Sequence, residues 1–236
     1  MKVILLAGGY GTRISEETDV KPKPMVRIGG KPILWHVMTI YAQQGFTDFV
    51  IAGGYKFDAI NEWVTETEFP EWTVSAVDTG LDTQTGGRIS QCMKLIGNER
   101  VFVTYGDGLG NVPIKKVLSH HEMHEKLATV TAVHPPARFG VIEIEDGRVT
   151  HFGEKDHTNT GWINGGFFVL EPGVASYIND DSEPFEKFAL PRLVADQQLN
   201  AYEHDGFWQP MDTLREKNLL EQMLSESVLP WLMIEN

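Results

Sequence analysis

The 236-residue sequence predicts an α/β fold, a doubly wound and mostly parallel sheet followed by a smaller mixed β/α section in the C-terminal part. Three observations carry that expectation. Short apolar runs alternate with helical patterns up to residue 133. These runs end in glycine-rich junctions, placed where an open parallel sheet gathers ligands at its carboxyl edge. Further on, strand patterns succeed one another with little helix between them.

Each element follows from local chemistry. Residues 2–6 are a continuous apolar run, the pattern of a strand buried on both faces. Gly8-Gly9-Tyr10-Gly11-Thr12-Arg13 breaks it. Pro32 is placed first in a helix reaching residue 44, with Gly45 as its stop. A strand at 48–52 ends in Gly53-Gly54, a helix follows at 57–65, a third strand at 72–78, and 89–95 belongs to a further helix. The fourth strand, 100–104, runs into Tyr105-Gly106-Asp107-Gly108, and a helix at 114–126 precedes a strand at 129–133. Strands are then expected at 141–145 and 149–154, joined by a hairpin turn at Asp146-Gly147, and at 163–170. A last helix covers 213–225. No linker, repeat or low-complexity stretch intervenes, so a single domain over 1–236 is expected.

The chain carries 33 acidic against 20 basic residues, a net charge of −13, with 42% hydrophobic residues. That balance argues against a broad nucleic-acid surface, which needs clustered Lys and Arg. A local basic pocket can still hold a small anion. Cys92 is the single cysteine, so neither a disulfide framework nor a Cys-rich metal site is expected. The first apolar run is too short for a membrane span and lacks a leader pattern. The cytoplasm is the expected location, with no membrane partner.

The first strand-to-loop junction is the most informative segment. Gly8, Gly9 and Gly11 remove side chains where a backbone approaches something closely, and N–H groups there can face an anion. Thr12 and Arg13 add a hydroxyl and a forked cation suited to phosphate. The loop reads as a phosphate cradle or as a tight turn. A dinucleotide fingerprint fails, because Ile14 stands where a third glycine belongs and the second strand ends in Ala52-Gly53-Gly54 without an acidic residue. A P-loop fails because no Gly-Lys-Ser/Thr closes the loop. Lys23, stiffened by Pro22 and Pro24, is an exposed loop lysine or a rigid cation for a polyphosphate. Asp107 is a turn residue or a ligand at the sheet edge. Asp212 is a helix cap, in competition with Thr213, or a ligand. His120, His121 and His124 are expected on a solvated helix face rather than in a metal cluster. Trp35, Trp63 and Trp72 are expected to pack rather than to stack on nucleic acid.

Taken together, Gly8-Gly9-x-Gly11-Thr12-Arg13 and Lys21-Pro22-Lys23-Pro24-Met25 resemble the sugar-1-phosphate nucleotidyltransferases. Further segments match in order: Val77-Asp78-Thr79-Gly80, Thr85-Gly86-Gly87-Arg88, Thr104-Tyr105-Gly106-Asp107-Gly108, Arg138-Phe139-Gly140, Ile163-Asn164-Gly165-Gly166-Phe167-Phe168-Val169 and Phe207-Trp208-Gln209-Pro210-Met211-Asp212-Thr213. The resemblance covers nearly the whole chain. It implies the nucleotide-diphospho-sugar transferase fold, a Rossmann-like sheet, and CTP with glucose 1-phosphate as the substrate pair.

The same resemblance implies the roles of particular residues. Arg13, Lys23 and Asp107 are the implied catalytic groups. Nucleotide contacts are implied for Leu6, Ala7, Gly8, Gly9, Gly11, Thr12, Arg13, Lys23, Thr79, Thr85, Gly86, Gly87 and Arg88, with residues 85–88 as a second nucleotide loop. Tyr105, Gly106, Gly140, Glu154, Lys155, Asn164 and Gly165 are implied at the sugar phosphate. Glu154-Lys155 at a strand end is otherwise a common surface pair. Asp107 and Asp212 are implied to bind Mg²⁺, which prefers hard oxygen ligands.

The family's reaction is an in-line attack of the sugar phosphate on the α-phosphorus of the nucleotide, releasing pyrophosphate. A homo-oligomer is also implied, although the family carries a longer insertion than the short stretch at 64–71. Residues 156–161, after Glu154-Lys155, depart from the proline usual there. A nucleotide-sugar sensor without turnover is the rival reading from another class. Both aspartates and Lys23 speak against it. A dinucleotide-dependent oxidoreductase is a second rival and loses with the failed fingerprint, and the same chemistry with UTP, dTTP or GTP, or with another phosphorylated acceptor, is the rival inside the class.

Overall fold

A computed structural model describes residues 1–18, 21–136, 140–154 and 161–233, with the backbone alone at 15, 16, 140–143 and 151–154. The chain begins with β1 (Val3–Leu6), α1 (Ser15–Thr18), β2 (Arg27–Ile28), β3 (Lys31–Pro32), α2 (Ile33–Ala42) and β4 (Asp48–Gly53). It continues through α3 (Phe57–Glu66), β5 (Thr73–Asp78), α4 (Thr85–Ile96), β6 (Val101–Tyr105), β7 (Gly108–Gly110), α5 (Ile114–His124) and β8 (Ala128–Val133). The second part holds β9 (Gly140–Glu145), β10 (Arg148–Glu154), β11 (Ile163–Asn164), β12 (Phe168–Leu170), α6 (Ala189–Ala195), β13 (Leu199–His204), β14 (Trp208–Pro210) and α7 (Leu214–Ser225).

One large sheet organises these elements. β1 lies between β4 and β6, parallel to both, and β5 adds in parallel beyond β4. The chain therefore builds outward from β1 to β5 and then crosses back to β6 on the other flank. That crossing is a switch point, and the crevice beyond the carboxyl ends of β1 and β6 is where such sheets bind ligands. β12 is antiparallel to β6 and β8, and β13 is parallel to β8. Val3 and Leu5 face one hydrophobic core with α2 and α5, while Ile4 and Leu6 face a second with α4 and α6. Burial on both faces accounts for the uninterrupted apolar run of the first strand.

Most expected elements are present, with displaced ends. Pro32 is the N-cap of α2 rather than its first residue. Asp146 and Gly147 have φ of 49° and 78°, the left-handed pair a tight hairpin turn needs. The expected strand at 163–170 is instead broken in two. Asn164 faces Ala132 and Val169 faces Thr129, so the chain makes a two-residue excursion at Gly165-Gly166-Phe167. Gly166 and Phe167 lie at φ 80° and 49°, and Phe167 is buried. A buried aromatic inside an apolar run hides such a break from pattern reading. Helices α1 and α6 and strands β2, β3, β7, β13 and β14 are additional to the expected elements. Among the described residues, no helix is long and apolar enough to cross a membrane.

The expected solvated face holds for two of the three histidines of α5 only: the rings of His120 and His124 pack together with centroids 4.2 Å apart, whereas His121 is turned into the protein. His121 is buried against Thr129 and Glu171, at 2.9 Å and 3.1 Å. The His124 ring instead meets the backbone oxygen of His120. His36 on α2 is buried and its Nε2 lies 3.0 Å from the Ile28 carbonyl, the neutral tautomer donating. Burial pushes the His36 pKa down, against smaller opposing effects of that carbonyl and Glu221. A folded-state pKa below the unfolded value of about 6.5 gives stability that is present above that pH and lost as pH falls. The denaturant midpoint is therefore expected to drop between pH 7.5 and 5.0, and to drop less in His36→Gln. Parallel drops in the two proteins would refute this.

Candidate active site

The crevice at the switch point is a cleft of about 460 Å³, lined by the loop after β1, by Lys23 and Pro24, by Leu81, residues 83–85 and Arg88, and by Tyr105 and Asp107. The loop glycines have three different reasons. A Cβ on Gly8 would lie 2.1 Å from the Arg88 guanidinium carbon, so a side chain of the protein fills that space. Gly11 takes φ 65° and abuts Lys23 and Thr18. Gly9 alone of the three faces open space, where a ligand can approach the backbone.

Four charged side chains converge beside the cleft, and three of them, Arg13, Lys23 and Asp107, line it. The Lys23 ammonium donates to Asp107 at 2.5 Å and to Asp212 at 2.6 Å, and its side chain is 9% exposed. Burial disfavours the charged lysine, but the two carboxylates outweigh it, so its pKa is raised and the ammonium persists. Arg13, largely exposed, donates from Nη1 to the other oxygen of Asp212 at 2.6 Å. Lys23 sits in a short 3₁₀ turn, Lys23–Met25, started by the fixed φ of Pro22.

A small hairpin brings the two aspartates together. β7 pairs antiparallel with β14, and the Met211 N–H donates to the Asp107 carbonyl at 2.9 Å. The Asp212–Thr213 junction then starts α7. Thr213 is its N-cap, accepting from the Glu216 N–H, while the Glu216 carboxylate accepts from the Thr213 N–H at 2.9 Å and the Asp212 N–H at 2.6 Å. This capping box satisfies the helix start without the Asp212 side chain, which stays free for the cations. The competition for the cap is thus settled in favour of Thr213. Thr213→Ala is expected to cost about 1 kcal/mol of stability, read as a lower denaturant midpoint. An unchanged midpoint would show that the cap is dispensable.

The other expected nucleotide residues divide into two sets. Thr85 and Arg88 border the cleft, on the first turn of α4 rather than on a loop. Arg88 is buried. It donates to the carbonyls of Gly53, Gly80, Gly8 and Leu81 at 2.6, 3.0, 3.1 and 3.4 Å, and to the Thr79 hydroxyl. Thr79 in turn donates to the Gly53 carbonyl at 2.5 Å, so both residues tie the loops to each other. Gly86 and Gly87 press against the backbone of Glu183 and Asp181, where a Cβ would come within 2.5 Å. Leu6, Ala7 and Thr12 line the cleft.

The sugar-side set is partly assembled. Asn164 donates to the Tyr105 hydroxyl at 3.1 Å. Gly106 donates to the Leu6 carbonyl at 3.0 Å, which locks the end of β6 to β1. Gly165 makes room for Val133 of the protein itself, and its carbonyl accepts from the Trp208 indole at 3.0 Å. Gly140 and Glu154 are register partners at the open end of the β9–β10 hairpin. The side chain of Glu154, together with Lys155, Arg138, Phe139 and residues 156–160, lies outside what is described. Glu186 went unnoticed in the sequence, although its carboxylate accepts from both Tyr105 and Thr85. No local pattern marks it, since its partners are distant in sequence.

The switch-point cleft, with its open backbone at Gly9 and its cluster of cations and carboxylates, has the chemistry to take a polyanionic ligand. Residues 2–222 match the nucleotidyl transferase family model, and the chain belongs to that family. Glucose-1-phosphate cytidylyltransferase of Salmonella typhi is 44% identical to it, over 98% of both chains. Probable glucose-1-phosphate cytidylyltransferase of Bacillus subtilis is 42% identical over 94% of both. Among solved structures, HddC from Yersinia pseudotuberculosis complexed with GMP-PN superposes with a TM-score of 0.76 at 25% identity, covering 94% of this chain and 99% of that one. The inositol-1-phosphate CTP transferase from T. maritima shares the fold, with a TM-score of 0.70 at 17% identity over 97% of both chains.

Proposed function

We propose that this protein joins CTP to a sugar 1-phosphate, α-D-glucose 1-phosphate in particular, giving a CDP-sugar and pyrophosphate. The observation that carries the reading is the convergence of Arg13, Lys23, Asp107 and Asp212 at the switch-point cleft of a chain so similar to glucose-1-phosphate cytidylyltransferases. The nucleophile, a sugar phosphate oxygen, is already an anion, so no general base is required. Catalysis is then positioning and charge neutralisation. Gly9 leaves backbone open to the nucleotide, and Arg13 and Lys23 hold the triphosphate and offset the charge that grows at the α-phosphorus. As nucleotide enters, the Lys23 ammonium exchanges carboxylate for phosphate oxygens.

Asp107 and Asp212 would hold Mg²⁺. Their carboxylates already share one cation, the Lys23 ammonium, and hard oxygen donors suit that ion. Among the described residues no three His, Cys, Asp or Glu side chains are grouped for a metal, so phosphate oxygens would complete the set. When bound, Mg²⁺ supplies charge neutralisation at the phosphates. Tyr105 and Asn164 are assigned to the sugar side, and the family resemblance assigns Glu154 and Lys155 to the sugar phosphate as well. We place the protein in the cytoplasm as a homo-oligomer with small-molecule substrates, no nucleic acid and no membrane.

The test is pyrophosphate release in Mg²⁺, crossing CTP, UTP, dTTP, ATP and GTP with glucose 1-phosphate and other sugar phosphates. The highest kcat/KM is expected for CTP with glucose 1-phosphate. A faster pair would reassign the substrates. No release from any pair by folded protein would turn the reading to a nucleotide-sugar-binding protein.

A further inference from the structure

Glu186 links two residues that line the cleft, Tyr105 and Thr85, and the directions of its hydrogen bonds have a chemical consequence. Its Oε1 accepts from the Tyr105 hydroxyl at 2.5 Å, and its Oε2 from the Thr85 hydroxyl at 2.7 Å. An ionised carboxylate has no proton to give, so each hydroxyl must spend its single proton on Glu186. Each then receives one bond. Tyr105 accepts from Asn164 at 3.1 Å, and Thr85 accepts from the Phe185 N–H at 2.8 Å. Neither hydroxyl is left with a proton to offer, and both residues border the cleft.

We propose that Glu186 is a specificity-determining positioning residue: by claiming both hydroxyl protons it makes Tyr105 and Thr85 face the ligand as acceptors only, selecting sugar hydroxyl or base amino donors. Groups that only accept, such as a carboxylate or a second phosphate on the sugar, meet lone pairs there and are disfavoured. The proposal rests on the nucleotidyltransferase reading above. It adds the direction in which two cleft hydroxyls are locked, and names a residue that itself lies behind them.

Deoxyfluoro sugars test it, because fluorine replaces a hydroxyl in size but cannot donate. With CTP and the 2-, 3-, 4- and 6-deoxyfluoro glucose 1-phosphates, at least one position is expected to lower wild-type kcat/KM by about tenfold. In Glu186→Gln an amide can donate, a hydroxyl proton is released towards the ligand, and that penalty is expected to shrink to within about threefold. Tyr105→Phe, which deletes the acceptor on the sugar side, should abolish the penalty at the position it serves, and Thr85→Val, on the nucleotide side, should instead narrow the preference for CTP, whose base carries an amino donor, over UTP, whose base carries a carbonyl there. They decide the matter if the Glu186 variant does not fold. The same fluorine penalties in wild type and all variants, or none in wild type, would overturn the proposal. A wild-type protein inactive with every sugar phosphate would instead remove the underlying reading, and the proposal with it.

Discussion

Asp107→Asn is expected to lower turnover by about 100-fold or more, the scale of a lost charge-stabilising group in a water-poor site. The substitution keeps shape and removes one negative charge. The backbone carbonyl of residue 107, which holds the Met211 N–H, is untouched, so the β7–β14 hairpin and the position of Asp212 should survive. Lys23 would be left with Asp212 as its carboxylate partner, and Mg²⁺ with one of its two protein oxygens. Steady-state kinetics and a thermal melt together check this. A melt close to wild type with turnover also close to wild type would remove Asp107 from the catalytic machinery. The Mg²⁺ concentration for half-maximal activity should rise as well, separating a metal role from a purely structural one.

Arg88→Met is expected to be the most damaging single change to stability. The guanidinium reaches four carbonyls and one hydroxyl drawn from the segments after β1, β4 and β5. Methionine refills part of the volume but gives no donor, so buried carbonyls of Gly53 and Gly8 lose a partner. That deficit is worth about 3 kcal/mol, or roughly 10 °C in Tm for a chain of this length. Because the same contacts position the Gly8 loop at the cleft, KM for CTP should rise in the protein that remains folded. A Tm within a degree or two of wild type would show that these contacts are made by solvent equally well.

The layout of the sheet could be read from residue patterns because burial on two faces demands uninterrupted apolar runs, and the 2–6, 48–52 and 100–104 segments have them. Helix ends were readable where their chemistry is local, as with Thr213 and Glu216 three residues apart. The glycine loop also stands out, since it is a chain break that a regular element does not require, whereas the two aspartates are marked as ligands only by the family resemblance, their residues alone fitting a turn and a helix cap equally well. Pattern could not say what fills the space beside a glycine. Gly8 answers to Arg88 and Gly165 to Val133, contacts made across 80 and 32 positions of chain. Nor could it find β14, whose three residues carry no periodicity and become a strand only through pairing with β7. Glu186 is the clearest case. Its meaning lies in two hydroxyls, 81 and 101 positions away, that share its carboxylate. One-dimensional order records which groups can donate or accept, whereas folding brings distant groups within 3 Å and thereby sets the direction of each hydrogen bond.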